Sequence, residues 1–164
     1  MEIIYRQAKL DDFEEIYAIF KQVIDDGRTY SYTSDEMTPE RSLAYWISSK
    51  GTHCIVADIN GAVVGVAAIR PNRTGRGSHV ANASFIVHRD FRGRGIARNL
   101  GTLALEQARN LGYKAMQFNF VVSSNHIAVK LWQSLGFEII GRLPKGFNHI
   151  EHGYTDVYIM HQFL

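Results

Sequence analysis

The sequence contains a single cysteine, Cys54, so no disulfide can form within the chain. That thiol sits in the apolar run His53 to Ile59, where a free cysteine is expected to pack in the core rather than react. No apolar stretch approaches the ~20 residues of a bilayer-spanning helix, and no membrane partner is expected. The opening MEIIYRQA lacks the charged-then-apolar order of a secretory signal, so a cytoplasmic location is the expectation. Charge of either sign is not in excess: 18 Lys and Arg against 16 Asp and Glu leave a formal net charge of +2. Nucleic-acid binding calls for basic residues massed over one face, and no nucleic-acid partner is expected. Internal repeats, low-complexity tracts and long linkers are missing too, so residues 1–164 read as one domain.

With 46% hydrophobic residues, the chain can bury a substantial core. A short strand at Glu2 to Arg6 leads to a helix opened by Asp11, with Glu14 placed for a capping box. Phe13, Ile16, Tyr17, Phe20, Val23 and Ile24 form its apolar face, and Asp25-Asp26-Gly27 ends it. A polar loop to Met37 precedes a second helix from Thr38-Pro39. Strands His53 to Ile59 and Ala62 to Arg70 join at the hairpin signal Asn60-Gly61. Strand His79 to Val87, helix Gly95 to Leu111, strand Ala115 to Val122 and helix Ser124 to Leu135 follow. Strands at Phe137 to Arg142 and Thr155 to Gln162 close the chain. Hairpins followed by strand–helix–strand units predict an α/β (α+β) fold with a mixed sheet covered by helices.

Basic residues cluster locally at Arg70, Arg73 and Arg76, then at Arg89, Arg92, Arg94 and Arg98, which suits a small polyanion. Arg92-Gly93-Arg94-Gly95-Ile96-Ala97 runs from a strand directly into a helix. Glycines let the backbone approach a ligand closely, and the first helical N–H groups, at the positive end of the dipole, attract phosphate. Arg92, Arg94 and Arg98 can add charge-assisted bonds. A dinucleotide cradle would follow the first strand and need an acidic residue ~20 positions on; neither condition holds. The Gly-Lys-Ser/Thr ending of a nucleotide-triphosphate loop is absent as well.

Two motifs carry a resemblance to a known family. Arg92-x-x-Gly95-x-Ala97, after Phe85-Ile86-Val87, is similar to the first signature of the GCN5-related N-acetyltransferase (GNAT) family. Asn125-x-x-Ala128-x-x-Leu131-Trp132-x-x-x-Gly136-Phe137 resembles the second, at the expected distance. The resemblance implies a central sheet of about seven strands with helices on both faces and splayed fourth and fifth strands. It implies acetyl-CoA as co-substrate, no metal, and a homodimer. Backbone groups of Phe85, Ile86 and Val87 would meet the pantetheine arm, with an N–H near Phe85 as oxyanion donor. Amides of Arg92 to Ala97, with Arg98, would hold the pyrophosphate, and Asn125 would touch the pantetheine or simply start its helix.

The chain departs from that pattern twice. Trp132 stands where many relatives place an acid tyrosine, and an indole does not titrate usefully; it can equally be core. Phe120 stands where some relatives carry a glutamate base. His79 and His88 flank the strand and read as structural. A narrower resemblance, through Gly27 to Tyr30, Ile69 to Asn72, Ser78 to Val87, Gln117 to Val122 and Ile140 to Pro144, is to proline-analogue (azetidine-2-carboxylate) N-acetyltransferases. It implies that Asn82 and Asn119 contact a small amine substrate, with Thr29 and Tyr30 closing the pocket. Asparagine is a poor strand residue, so the pair has either that role or the satisfaction of backbone groups at a bulge. Alternatives are a phosphinothricin-like or peptide N-terminal acetyltransferase, and a non-catalytic acetyl-CoA-binding module. His149, Glu151 and His152 lack the ligand set of a metal site and are expected to form a solvated loop.

Overall fold

The computed structural model describes residues 1–164. Seven strands form one sheet: β1 (Ile4–Gln7), β2 (His53–Ile59), β3 (Ala62–Pro71), β4 (Val80–Val87), β5 (Ala115–Val122), β6 (Glu138–His149) and β7 (Gly153–Phe163), in the order β1-β2-β3-β4-β5-β7-β6. Every neighbouring pair is antiparallel except β4 and β5. The helices are α1 (Phe13–Asp25), α2 (Pro39–Leu43), α3 (Ile96–Asn110) and α4 (His126–Ser134). This is the mixed, helix-covered sheet that the order of elements predicts.

The two faces divide by side-chain parity. Ile16, Ile19, Phe20 and Val23 of α1 pack with Trp46, Val56, Val66 and Ile86 on one face. On the other, α3 and α4 bring Ala104, Ala108 and Trp132 against Ala81, Ala83, Met116 and Phe118. Alternate residues of the central strands serve opposite cores, as a pleat requires. Cys54 lies in the first core as expected, and burial pushes its thiol up to about 12.

Three local readings change. The capping box at Asp11 and Glu14 does not form. Asp12 instead accepts the Lys9 N–H at 2.6 Å and is gripped by both terminal nitrogens of Arg6 at 2.8 Å. Arg6 also reaches Asp58, so one guanidinium ties β1, β2 and the entry to α1. The second helix opens as predicted, with Thr38 Oγ1 accepting the Arg41 N–H, but it widens into a π-helical turn at Ala44–Ser48. The strand expected to stop at Arg142 runs to His149. As an edge strand, β6 tolerates Pro144, and a register shift between Leu143 and Phe147 absorbs the irregularity.

Gly65 sets the height of α3 above the sheet. A Cβ there would lie 2.7 Å from Ile96 Cγ2 and 3.2 Å from Leu100 Cδ1. Gly65→Ala is expected to cost about 1–3 kcal/mol through overpacking, read as a lower urea midpoint. The Arg6 hydrogen bonds hold the Asp12 carboxyl below the usual carboxylate range. A carboxyl lowered in the folded state stabilises above its unfolded pKa and loses that contribution as pH falls through the folded value. Asp12→Asn should therefore lower stability at neutral pH and flatten its decline toward about pH 3, measured by urea unfolding at both.

Candidate active site

β4 and β5 pair only at Val80 with Ala115 and Ala81 with Met116, then separate. In a continued parallel ladder the Gln117 carbonyl would take the next β4 amide. It instead accepts Asn82 Nδ2 at 2.9 Å, so this side chain ends the ladder. On the other side of β4, the Asn72 N–H donates to Val80 and the His88 N–H donates to Val64. That phase turns the polar backbone groups of Ala83, Phe85 and Val87 toward the gap. One partner meets them: the Tyr30 hydroxyl accepts the Phe85 N–H at 3.2 Å and donates to the Phe85 carbonyl at 2.9 Å.

The gap runs into the glycine-rich turn. Gly93 and Gly95 have φ of 75° and 77°, a left-handed conformation that a side chain would strain. A Cβ on either would meet nothing within 4 Å, so the space above them is open. None of the backbone N–H groups from Gly93 through Arg98 donates a hydrogen bond within the chain. The predicted cradle is therefore a row of free donors at the N-terminus of a 15-residue helix.

The predicted arginines are tethered rather than aimed at one point. Arg92 pairs with Asp26 at 3.5 Å, Arg94 lies over the Phe91 ring at 4.9 Å, and Arg98 donates to Ser134 Oγ at 2.8 Å. Asn125 caps α4, its Oδ1 accepting the Ala128 N–H, and still borders the cleft. A cleft of about 1420 Å³ unites Asn82, Phe85, Ile86, Val87, Asn119 and Asn125 with the cradle; Arg94 alone of the predicted residues stands outside its lining. Ile86 turns its side chain into the α1 core.

At the far end the face toward α1 and α2 is polar. Asn119, at the β5 irregularity between Phe118 and Val121, donates through Nδ2 to Asn72 Oδ1 at 2.6 Å and accepts from Gln117 Nε2. Tyr45 and Ser84, which sequence reasoning missed, share a hydrogen bond of 2.7 Å. The π-helical turn that places Tyr45 has no single-residue signature, although its Tyr-Trp pair after Pro39 marks an aromatic helix face. Tyr30, Tyr32 and Tyr45 pack around Phe20. Burial raises the Tyr30 hydroxyl well above the usual phenol value and keeps it protonated.

Trp132 packs against Phe85, Phe118 and Phe137, with centroids 4.7, 4.9 and 6.3 Å away. That is the core reading of this residue. His149 is buried, stacks on His152 and accepts the Glu151 and His152 amides through Nδ1. Burial and then His152 lower its pKa, in keeping with a neutral acceptor.

Splayed parallel strands opening onto a row of free amides leave a long slot with unpaired backbone donors, and a helix start of this kind attracts anions. The chain belongs to the acetyltransferase (GNAT) family, whose sequence profile matches residues 12–137. It is 33% identical over 163 residues to the L-amino acid N-acetyltransferase AaaT of Escherichia coli, across 97% of this chain and 96% of that one. It is 36% identical over 99 residues to N-acetyltransferase aca1 of Schizosaccharomyces pombe, across 60% of this chain but only 47% of that protein. A GCN5-related N-acetyltransferase from Kribbella flavida superposes with a TM-score of 0.94 at 42% identity, covering 99% of this chain and 98% of that one. The fold is shared by yncA from Salmonella typhimurium, solved with its cofactor acetyl-CoA, at a TM-score of 0.88 and 23% identity, covering 100% and 95%.

Asn82→Ala should leave the Gln117 carbonyl without its partner. We expect a loss of about 1 kcal/mol in urea unfolding, with the fold retained by circular dichroism.

Proposed function

We propose that this protein is an acetyl-CoA-dependent N-acetyltransferase that acetylates the amine of a small, amino-acid-like substrate by direct attack in a ternary complex. The observation that carries this reading is the continuity of the open β4 backbone with the free amides of Gly93 to Arg98. Such an edge accepts an extended amide-bearing arm as an added strand, and the amide row takes a pyrophosphate. The acetyl-CoA bound by the Salmonella typhimurium structure, and the amino-acid activity in the name of the Escherichia coli relative, support the same assignment.

In this reading the amine nitrogen attacks the thioester carbon, the carbonyl oxygen gathers negative charge, and the C–S bond breaks as the thiolate leaves. The Phe85 N–H is the donor for that oxygen, and Tyr30 must give up the amide when the thioester arrives. The same hydroxyl, which burial keeps protonated, can donate a hydrogen bond to the departing thiolate, and the proton shed by the amine reaches the sulfur through water. Trp132, held in the core, takes no part in proton transfer. Among the residues of the amine half no carboxylate offers itself as a base, so the amine loses its proton to water. Asn82 and Asn119 border the amine from the two splayed strands.

Release of free CoA, followed with acetyl-CoA against proline analogues, other amino acids and short peptides, tests the proposal. Turnover on small amino acids is expected; no turnover on any amine, with acetyl-CoA binding intact by thermal shift, would overturn it. Asn119→Ala should raise the KM for the amine about tenfold, the loss of a hydrogen bond or two, and leave acetyl-CoA binding unchanged.

A further inference from the structure

The amine half of the cleft contains a cation without a counter-ion. Arg70, at the end of β3, is half-buried and borders the cleft, yet no carboxylate of the chain pairs with it. Asp26, the acidic residue of the cleft lining, is engaged by Arg89 and Arg92 near the cradle. The Arg70 guanidinium lies over the Tyr45 ring at 4.3 Å. Its Nη1 donates to Ser84 Oγ at 3.0 Å and its Nη2 to the Tyr45 carbonyl at 2.6 Å. The Nε–H and the remaining terminal N–H groups have no partner in the chain, although a guanidinium carries five donors.

These contacts orient a fork without neutralising it. A half-buried cation with no counter-ion is relieved by an anion, and the guanidinium plane matches a carboxylate through paired hydrogen bonds. The position fits as well. Arg70 lies directly opposite Asn82 in the β3–β4 register, so the two side chains leave the same face. Its contact with Ser84 puts the guanidinium beside the residue that precedes Phe85, whose amide faces the gap. In an α-amino acid the carboxyl carbon and the amine nitrogen are roughly 2.5 Å apart by backbone bond geometry. A carboxylate at the level of Ser84 thus brings its own amine to the level of Phe85.

We infer that Arg70 anchors the α-carboxylate of the amine substrate and makes the site selective for free α-amino acids. Amines and peptide N-termini, which lack a carboxylate on the neighbouring carbon, are excluded. The inference rests on the N-acetyltransferase reading for its kinetics but not for its binding.

The test compares L-amino acids with their carboxamides, using wild type, Arg70→Gln and Arg70→Lys of confirmed unchanged melting temperature. In wild type, kcat/KM should favour the acid over the carboxamide by about 30-fold or more, the scale of a charge-assisted pair. Arg70→Gln should shrink that ratio to within about threefold of unity, mainly by raising KM for the acid, while KM for acetyl-CoA stays put. Arg70→Lys, keeping the charge without the fork, should fall between. Equal use of acid and carboxamide by wild type would overturn the inference. So would an equal drop for both in Arg70→Gln, which marks a purely structural role through Tyr45 and Ser84. Calorimetry of the same ligands in the presence of CoA reads the preference without turnover. Arg70-dependent binding of acids with no acetyl transfer would sink the proposed reaction and leave this anchor standing.

Discussion

The cleft of this molecule depends on a ladder that stops early. Buried backbone polar groups are almost always paired, and a parallel strand pair at the centre of a sheet is where pairing is ordinarily most complete. Here the pairing of β4 with β5 ends after Ala81 and Met116, and Asn82 takes the carbonyl that would have continued it. The sheet survives because β3 and β7 hold the outer edges of the two strands. The result is a polar slot inside a structure that would otherwise be sealed.

The two ends of the slot are built by different means. At one end backbone does the work: left-handed glycines and a helix start present donors without any side chain. At the other, side chains dominate. Tyr30, Tyr45, Arg70, Asn72, Asn82, Ser84 and Asn119 come from two loops, a π-helical turn and three strands. Under the proposed function this division has a reason: a phosphate is the same on every turnover, so fixed amides suffice, whereas choosing among amines needs groups whose identity can encode a preference. The loop carrying Tyr30 is also tied at its base, where the Ile150 N–H donates to the Gly27 carbonyl and Arg28 pairs with Glu151.

The same division explains how much could be read from the sequence. The cradle was legible because strand, turn and helix start are contiguous, and its glycines answer to local dihedral demands. The order of elements gave the mixed sheet for the same reason. Asn82 and Asn119 stood out as misfits in strands, although their present partners, Gln117 and Asn72, come from elsewhere in the chain. Tyr45 and Ser84 could not be found: they are joined across 39 positions by tertiary packing, and each alone is unremarkable. The full length of β6 was hidden because Pro144 and Gly146 read locally as an ending, while an edge strand can carry both. No side chain caps α1, because Arg6, on the first strand, takes the Asp12 carboxylate in a way no local pattern reports.

The hydrogen at Gly65 has a reach well beyond its own strand. It lets Ile96, the first residue of α3, settle onto the sheet, and that contact sets where the amides just before and after Ile96 point. The aim of the free amide row is thus written some thirty positions upstream of the motif that carries it. A loop from Arg92 to Arg98 grafted onto another strand–helix junction would bring the donors but not their bearing. The portable unit is the loop together with the bare patch of sheet on which its helix rests.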